Sequence, residues 1–190
     1  PTYTDNCWPL AQLTLTWAMT GATTGTGTGS VVGQTFNVGI TTVTYTVTDP
    51  DGNVATCSFT VTIVDVTSPN LTIGGCANVS ETAAANNCSK IPATIANPTY
   101  TDNCWPLAQL TLTWAMTGAT TGTGTGSVVG QTFNVGITTV TYTVTDPDGN
   151  TATCSFTVTI VDVTPPNLTI GGCANVSETT LASNCSKIPA

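Results

Sequence analysis

The chain has 190 residues, of which only 6% are charged: 2 Lys or Arg against 10 Asp or Glu, no His, and a formal net charge of −8. So few cations cannot displace the counterions of a nucleic acid or hold an anionic bilayer surface, which excludes both partner classes on electrostatic grounds. Without His no Ser-His-Asp arrangement exists, and the few carboxylates are scattered over turns and linkers rather than facing each other in pairs, so the chain is not expected to be an enzyme.

Self-similarity organises the rest. Residues 1–93 recur at 98–190, an offset of 97, with five mismatches: Val54/Thr151, Ser68/Pro165, Ala83/Thr180, Ala84/Leu181 and Asn86/Ser183. A period near 100 residues suits one small domain per repeat. Threonine makes up about a quarter of the residues, with valine and glycine abundant and good helix formers scarce, which is the composition of strands and turns.

In the second copy the elements run as follows. Ile91–Asn97 is a weak strand candidate. Gln109–Thr117 (QLTLTWAMT) alternates with period two, turning Leu110, Leu112, Trp114 and Met116 to one face. Gly118–Gly126 (GATTGTGTG) reads as a loop or irregular edge, and Ser127–Phe133 as a weak strand. Thr139–Thr145 (TVTYTVT) faces Val140, Tyr142 and Val144 inward. Asp146-Pro147-Asp148-Gly149-Asn150 is a turn, because Pro fixes φ, Gly accepts positive φ, and Asp and Asn bond their own backbone. Ala152–Val163 (ATCSFTVTIVDV) follows with Cys154, Phe156, Val158 and Ile160 inward, completing a β-hairpin. Weaker strands are expected at Asn167–Gly171 and Val176–Thr179. No apolar run is long enough to span a bilayer, so no membrane insertion is expected.

About seven short strands per repeat suggest an all-β, immunoglobulin-like sandwich of antiparallel sheets, repeated in tandem. Prolines after the hairpin, Thr67-Ser68-Pro69 and Thr164-Pro165-Pro166, stop the sheet. The expected division is therefore 1–67 (the last two thirds of one domain), 68–163 (a complete domain) and 164–190 (the first third of another). On that division the end of one copy completes the sandwich begun at the start of the next. Restoring the four residues TIAN after Ala190 would continue the period, either within one longer polypeptide or between subunits by strand addition.

The run DNCWPL…GQTFNVGITTVTYTVTDPDGNTATCSFTVTIVD, over Asp102–Asp162 and again over Asp5–Asp65, closely resembles the hyalin repeat (HYR) domain. Its markers are the DNC, the F-x-V-G-x-T-T-V-T-Y run, the D-x-x-G-N turn and the C-S-F-T-V strand; the long GATTGTGTGS stretch departs from the pattern. The resemblance implies an extracellular immunoglobulin-like module found in tandem in adhesive and matrix proteins, with no catalytic residues.

Four residue sets are candidates for function. The eight cysteines, Cys7, Cys57, Cys76, Cys88, Cys104, Cys154, Cys173 and Cys185, lack CxxC pairs and His partners, which favours disulfides over zinc and an oxidising, extracellular compartment. Of the three pairings four cysteines allow, the expected one is Cys104–Cys154 with Cys76–Cys88, repeated as Cys7–Cys57 and Cys173–Cys185. The acidic set Asp102, Asp146, Asp148, Asn150 and Asp162 offers oxygen ligands at calcium-like spacing, although a hydrogen-bonded turn explains the same residues and the distal Glu of an EF-hand is absent; no other cofactor is expected. The sequons are Asn70, Asn78, Asn87, Asn167, Asn175 and Asn184. Finally, Thr139, Thr141, Thr143 and Thr145, joined by Thr157 and Thr159, line a solvent face that suits strand propensity or an ordered ligand surface.

The expected function is a structural repeat of a long extracellular fibre or adhesin stalk, with copies of itself as partners, head to tail and laterally. The alternative is an adhesion module that holds a glycan or a cell surface on its Thr-rich strand faces. With one lysine per repeat the strand faces are not expected to meet water bare; glycans or neighbouring domains would cover them.

Overall fold

The computed structural model describes residues 1–72, 74, 76–168, 177, 179 and 186. The first copy contributes β1 (Thr14–Gly21), β2 (Gly25–Thr28), β3 (Gly39–Thr48) and β4 (Val54–Ile63), hydrogen-bonded in the order β2-β1-β3-β4. Then come β5 (Asn70–Thr72), β6 (Val79–Thr82), β7 (Ser89–Lys90) and β8 (Thr99–Thr101). The second copy repeats the sheet as β9 (Thr111–Gly118), β10 (Gly122–Thr125), β12 (Gly136–Thr145) and β13 (Thr151–Val161), with β11 (Phe133–Asn134) between. This sheet has a fifth strand: the order is β10-β9-β12-β13-β6. Two small pairings, β5 with β8 and β7 with β11, close the sides.

Alternation sets which residues enter the core. Leu110, Leu112, Trp114 and Met116 of β9, Val140, Tyr142 and Val144 of β12, and Phe156, Val158 and Ile160 of β13 are all buried, as their period-two spacing requires. Val79, Ala83 and Ile95, from the segment before β9, belong to the same cluster. The Tyr142 hydroxyl accepts the Val128 N–H at 3.0 Å and so ties the loop before β11 onto the sheet.

Three expectations are corrected in detail. Within the Gly/Thr stretch, expected to be a loop or an irregular edge, Gly122–Thr125 is a regular edge strand: it pairs with β9, Gly124 opposite Trp114. A Cβ at Gly124 would lie 2.4 Å from Trp114 Cζ2, so the indole lies across the strand where only glycine leaves room. The one parallel ladder among the described residues, β13 with β6, breaks the all-antiparallel expectation. Ile91–Asn97 holds no strand; pairing falls on either side of it, at β7 and β8. Asn167–Gly171 and Val176–Thr179 lie wholly or largely outside the described residues, but their first-copy counterparts are β5 and β6.

Candidate functional site at the repeat junction

The turn Asp102-Asn103-Cys104-Trp105 is built by one side chain. Asp102 Oδ1 accepts the backbone N–H groups of Cys104 (2.8 Å) and Trp105 (2.9 Å), the local bonding that makes Asp a turn residue. The Trp105 indole N–H then donates to Asp148 Oδ2 at 3.0 Å, docking this turn on the hairpin turn between β12 and β13. Within the hairpin turn, Asp146 accepts the Asn150 backbone N–H (2.8 Å) and the Asn150 side-chain amide (2.8 Å). Burial pushes the Asp146 carboxyl up, but the Asn150 amide and the backbone N–H groups of Asn150, Gly149 and Asp148 more than offset it, holding the group below the usual carboxylate range.

Onto this platform comes the linker from the first repeat. Asp65 donates its backbone N–H to Asp148 Oδ2 at 3.1 Å and accepts the Asn150 amide on its carbonyl at 2.9 Å. Its own Oδ1 accepts the Thr67 N–H at 2.9 Å. Asp65, Asp102 and Asp146 thus converge, with one oxygen of each within 4.8 Å of the other two. Asp65 and Asp146 are each 5% exposed. Asp65 Oδ2 and Asp102 Oδ2 are shut off from solvent and accept no hydrogen bond. The Cys104 thiol beside them is pushed up by burial, by the Asp65 charge and a side-chain hydrogen bond to that carboxylate, and by the charges of Asp102 and Asp148.

The structure therefore brings together four of the five residues of the acidic set: Asp102, Asp146, Asp148 and Asn150. Asp162 is not with them; it is exposed past the far end of the 11-residue β13, accepting the Thr164 N–H at 2.9 Å. Its place is taken by Asp65, the same residue one repeat earlier. Sequence reasoning assigned Asp65 to the end of the preceding unit and so missed it. The signal was its position two residues before Thr67 in a linker too short to leave the next domain.

The cysteine pairing is corrected. Cys76 is bonded to Cys154, so neither Cys104–Cys154 nor Cys76–Cys88 forms. Cys154 stands opposite Tyr142 within the sheet, whereas the Asp102 and Asp148 bonds hold Cys104 at the hairpin-turn end. The carbonyl of Cys88 accepts the Val135 N–H at the opposite end of β12. Cys88 and Cys104 are exposed thiols, as are Cys7 and Cys57 of the first copy, so Cys7–Cys57 does not form either; Cys173 and Cys185 lie outside the described residues.

Among the sequons, Asn70, Asn78, Asn87 and Asn167 are exposed. Asn78 Oδ1 accepts the Thr157 N–H at 2.8 Å, fixing the start of β6 on β13. Asn175 and Asn184 lie outside the described residues. The threonine rows are in register: Thr139 faces Thr157 and Thr117, Thr143 faces Thr153 and Thr113, and Thr145 faces Thr151 and Thr111. Thr141 shares a 2.8 Å hydroxyl contact with Ser155. Ile137, exposed, stands opposite Thr159. Thr139, Thr141, Thr143, Thr145 and Thr157 are half-buried, whereas Thr111, Thr117, Thr151, Thr153 and Ser155 are exposed. No helix among the described residues is long and apolar enough to cross a membrane.

Comparison with known proteins agrees with this architecture. The family model described as HYR domain matches residues 12–63 and 64–160. The chain is 37% identical over 142 residues to "Hyalin" of Lytechinus variegatus, covering 73% of this chain and 24% of that protein. It is 35% identical over 144 residues to "Hyalin" of Strongylocentrotus purpuratus, covering 74% and 11%. "Serine-rich adhesin for platelets" of Staphylococcus aureus (strain MRSA252) is 29% identical over 155 residues, covering 82% and 11%. The chain thus spans a quarter or less of the length of these relatives. Matching sequence patterns in two adjacent stretches, the alternating strands and the Asp-rich turns together place this chain in the HYR domain family, as tandem repeats of a disulfide-bonded, all-β module.

Proposed function

We propose that the chain is a non-catalytic structural repeat of an extracellular fibre or adhesin stalk, in which each unit is completed by its neighbour. The observation that carries this reading is the open core of the first copy. Phe59 is 42% exposed, while its counterpart Phe156, on the same strand of the same sequence, is 3% exposed. What separates them is the segment 68–97, which lays β6 along β13 and inserts Val79, Ala83 and Ile95 into the core. Residues 164–190 repeat the sequence of 67–93 apart from four positions and would offer the same segment to a following unit, by continuation of one polypeptide or by strand addition between copies. The names of the adhesin and hyalin relatives fit a secreted, surface-exposed product.

All the cysteines pair in this reading, but not all within a unit. Cys88 and Cys104 lie at opposite ends of the 10-residue β12, about 33 Å apart along the strand, so they cannot reach each other. Each faces a junction: the Asn86 N–H donates to Thr164 Oγ1 at 3.1 Å beside the outgoing linker, and Cys104 sits beside Asp65 of the incoming one. Cys88 of one repeat therefore joins the counterpart of Cys104 in the next. Two thiols give their protons and two electrons to a disulfide-exchange oxidant, which leaves as two thiols.

Small-angle scattering from chains of two, four and six repeats tests the rod. A length rising by about 35 Å per repeat, set by the 10- and 11-residue strands β12 and β13, supports it; a compact particle contradicts it. The second reading, a module that holds a glycan or surface on the Thr139–Thr145 face, rests on the hydroxyl rows of that sheet, in which Thr139, Thr143 and Thr145 each stand between two threonines. Deleting whole repeats separates the two: a spacer loses reach, a binder loses avidity copy by copy.

A further inference from the structure

We infer that Asp65, Asp102 and Asp146 form a calcium site that locks one repeat to the next. Three carboxylates whose oxygens lie within 4.8 Å of one another, two of them nine-tenths buried, repel each other in a medium that screens poorly. Among the described residues no cationic side chain relieves them. The one lysine among the described residues, Lys90, is spent on Glu81 at 2.8 Å and on the Thr82 carbonyl. Hydrogen bonds do not relieve them fully either. Asp102 Oδ1 and Asp65 Oδ1 are occupied by backbone N–H groups, and Asp146 by Asn150, yet Asp65 Oδ2 and Asp102 Oδ2, both shielded from water, remain without a partner. A buried carboxylate oxygen with no donor is costly; a hard divalent cation satisfies all three groups at once.

The donor set selects the ion. It is all oxygen with three formal negative charges, and the chain contains no His, which disfavours zinc and copper. The oxygens come from two turns and a linker rather than from one rigid octahedron, which suits the larger and more variable shell of calcium over magnesium.

The first copy provides the contrast. There Asp5 Oδ1 accepts the Cys7 and Trp8 N–H groups, the Trp8 indole donates to Asp51 at 3.0 Å, and Asn53 bonds Asp49. The platform is thus identical and preformed. It lacks only the linker carboxylate, and Asp5 is exposed. An ion therefore binds where a linker meets a platform, and the linker supplies the ligand that completes the site. The consequence for a fibre, a fixed angle between successive repeats, rests on the reading above; the binding does not, so a chain that takes up calcium but forms no rod fails the one and not the other.

Calorimetric titration of the EDTA-treated 190-residue chain with CaCl2 tests the inference, with terbium luminescence excited through Trp105 as a second readout. One ion per chain is expected. Asp65→Asn should weaken the affinity about tenfold or more by removing one of three ligand charges, and move the sensitised-emission titration to correspondingly higher terbium concentration. Asp162→Asn, the same change in the other linker, should leave both unchanged. Circular dichroism of Asp65→Asn at the wild-type level excludes loss by unfolding. Absence of calcium uptake at millimolar concentration, uptake equal in wild type and Asp65→Asn, or tighter binding of MgCl2 than CaCl2 would each overturn the assignment.

Discussion

The two copies of this repeat are an experiment the molecule performs on itself: nearly the same residues in two surroundings. Local structure is copied almost without change. β3 pairs with β4 as β12 pairs with β13, from Gly39↔Ile63 to Thr48↔Val54 in one copy and from Gly136↔Ile160 to Thr145↔Thr151 in the other. Even the Tyr–Phe stack recurs, with ring centroids 6.0 Å apart in Tyr45–Phe59 and 5.9 Å in Tyr142–Phe156. Burial is not copied. Ile63 is 37% exposed and Ile160 1%; the free Cys57 corresponds to the bonded Cys154. Alternation and turn chemistry are properties of the segment, whereas the core is a property of what packs against it.

The sharpest way to break this comparison is to remove the same side chain from both copies. Phe156→Ala should cost about 3–5 kcal/mol, the range for truncating a buried aromatic, while Phe59→Ala should cost about 1 kcal/mol or less, as for exposed sites. Chemical denaturation of each variant reads the difference, and equal losses would mean that the first copy is as well packed as the second. The disulfide comes next. Replacing Cys154 by Ser opens a loop closed across a sequence separation of 78 and should cost about 2–4 kcal/mol. Cys57→Ser should cost almost nothing, and non-reduced peptide mapping should recover the Cys76–Cys154 pair.

A third pair of changes should abolish the contrast instead of showing it. A Cβ at Gly27 or at Gly124 meets the neighbouring Trp17 or Trp114 ring carbon at the same 2.4 Å. Gly27→Ala and Gly124→Ala should therefore each cost about 1–3 kcal/mol through overpacking. A large inequality between them would show that the indole is held by the completed core and not by its own hairpin.

The smallest effect concerns the completing segment itself. Glu81 is held at about 2 by the Lys90 ammonium, then by the Thr94 hydroxyl, with the Thr94 and Ala93 N–H groups adding to it against the effect of burial. A carboxylate depressed in the folded state stabilises fully above its ordinary value of 4.5 and loses that contribution as pH falls toward about 2. Melting temperature should therefore decline over that window, and Glu81→Gln should flatten the decline at a cost of about 1 kcal/mol at neutral pH.

Much of this was legible in the sequence, and the parts that were not share a cause. Thr139–Thr145 and Ala152–Val163 announce themselves by period two, and the Asp146–Asn150 turn by its residue types. Gly122–Thr125 does not, because its strand identity comes from the Trp114 ring lying over it, a contact across strands. The Cys76–Cys154 bond and the arrival of Asp65 at Asp102 and Asp146 escape for the same reason. Each depends on where a distant segment docks, and the repeat offers two equivalent candidates, Asp65 and Asp162, of which only three-dimensional packing selects one.

Hydrogen exchange tests the central claim most directly, because the peptides covering β4 and β13 differ at Val54 and Thr151 and are resolved by mass. In the dilute monomeric chain, amides of β13 should exchange slowest, since that strand is paired on both edges, with β12 and with β6. Those of β4, paired with β3 alone in the sheet order, should exchange at least tenfold faster, by local opening of an edge strand. Equal protection of the two strands in the monomer would contradict the account that residues 68–97 complete the unit.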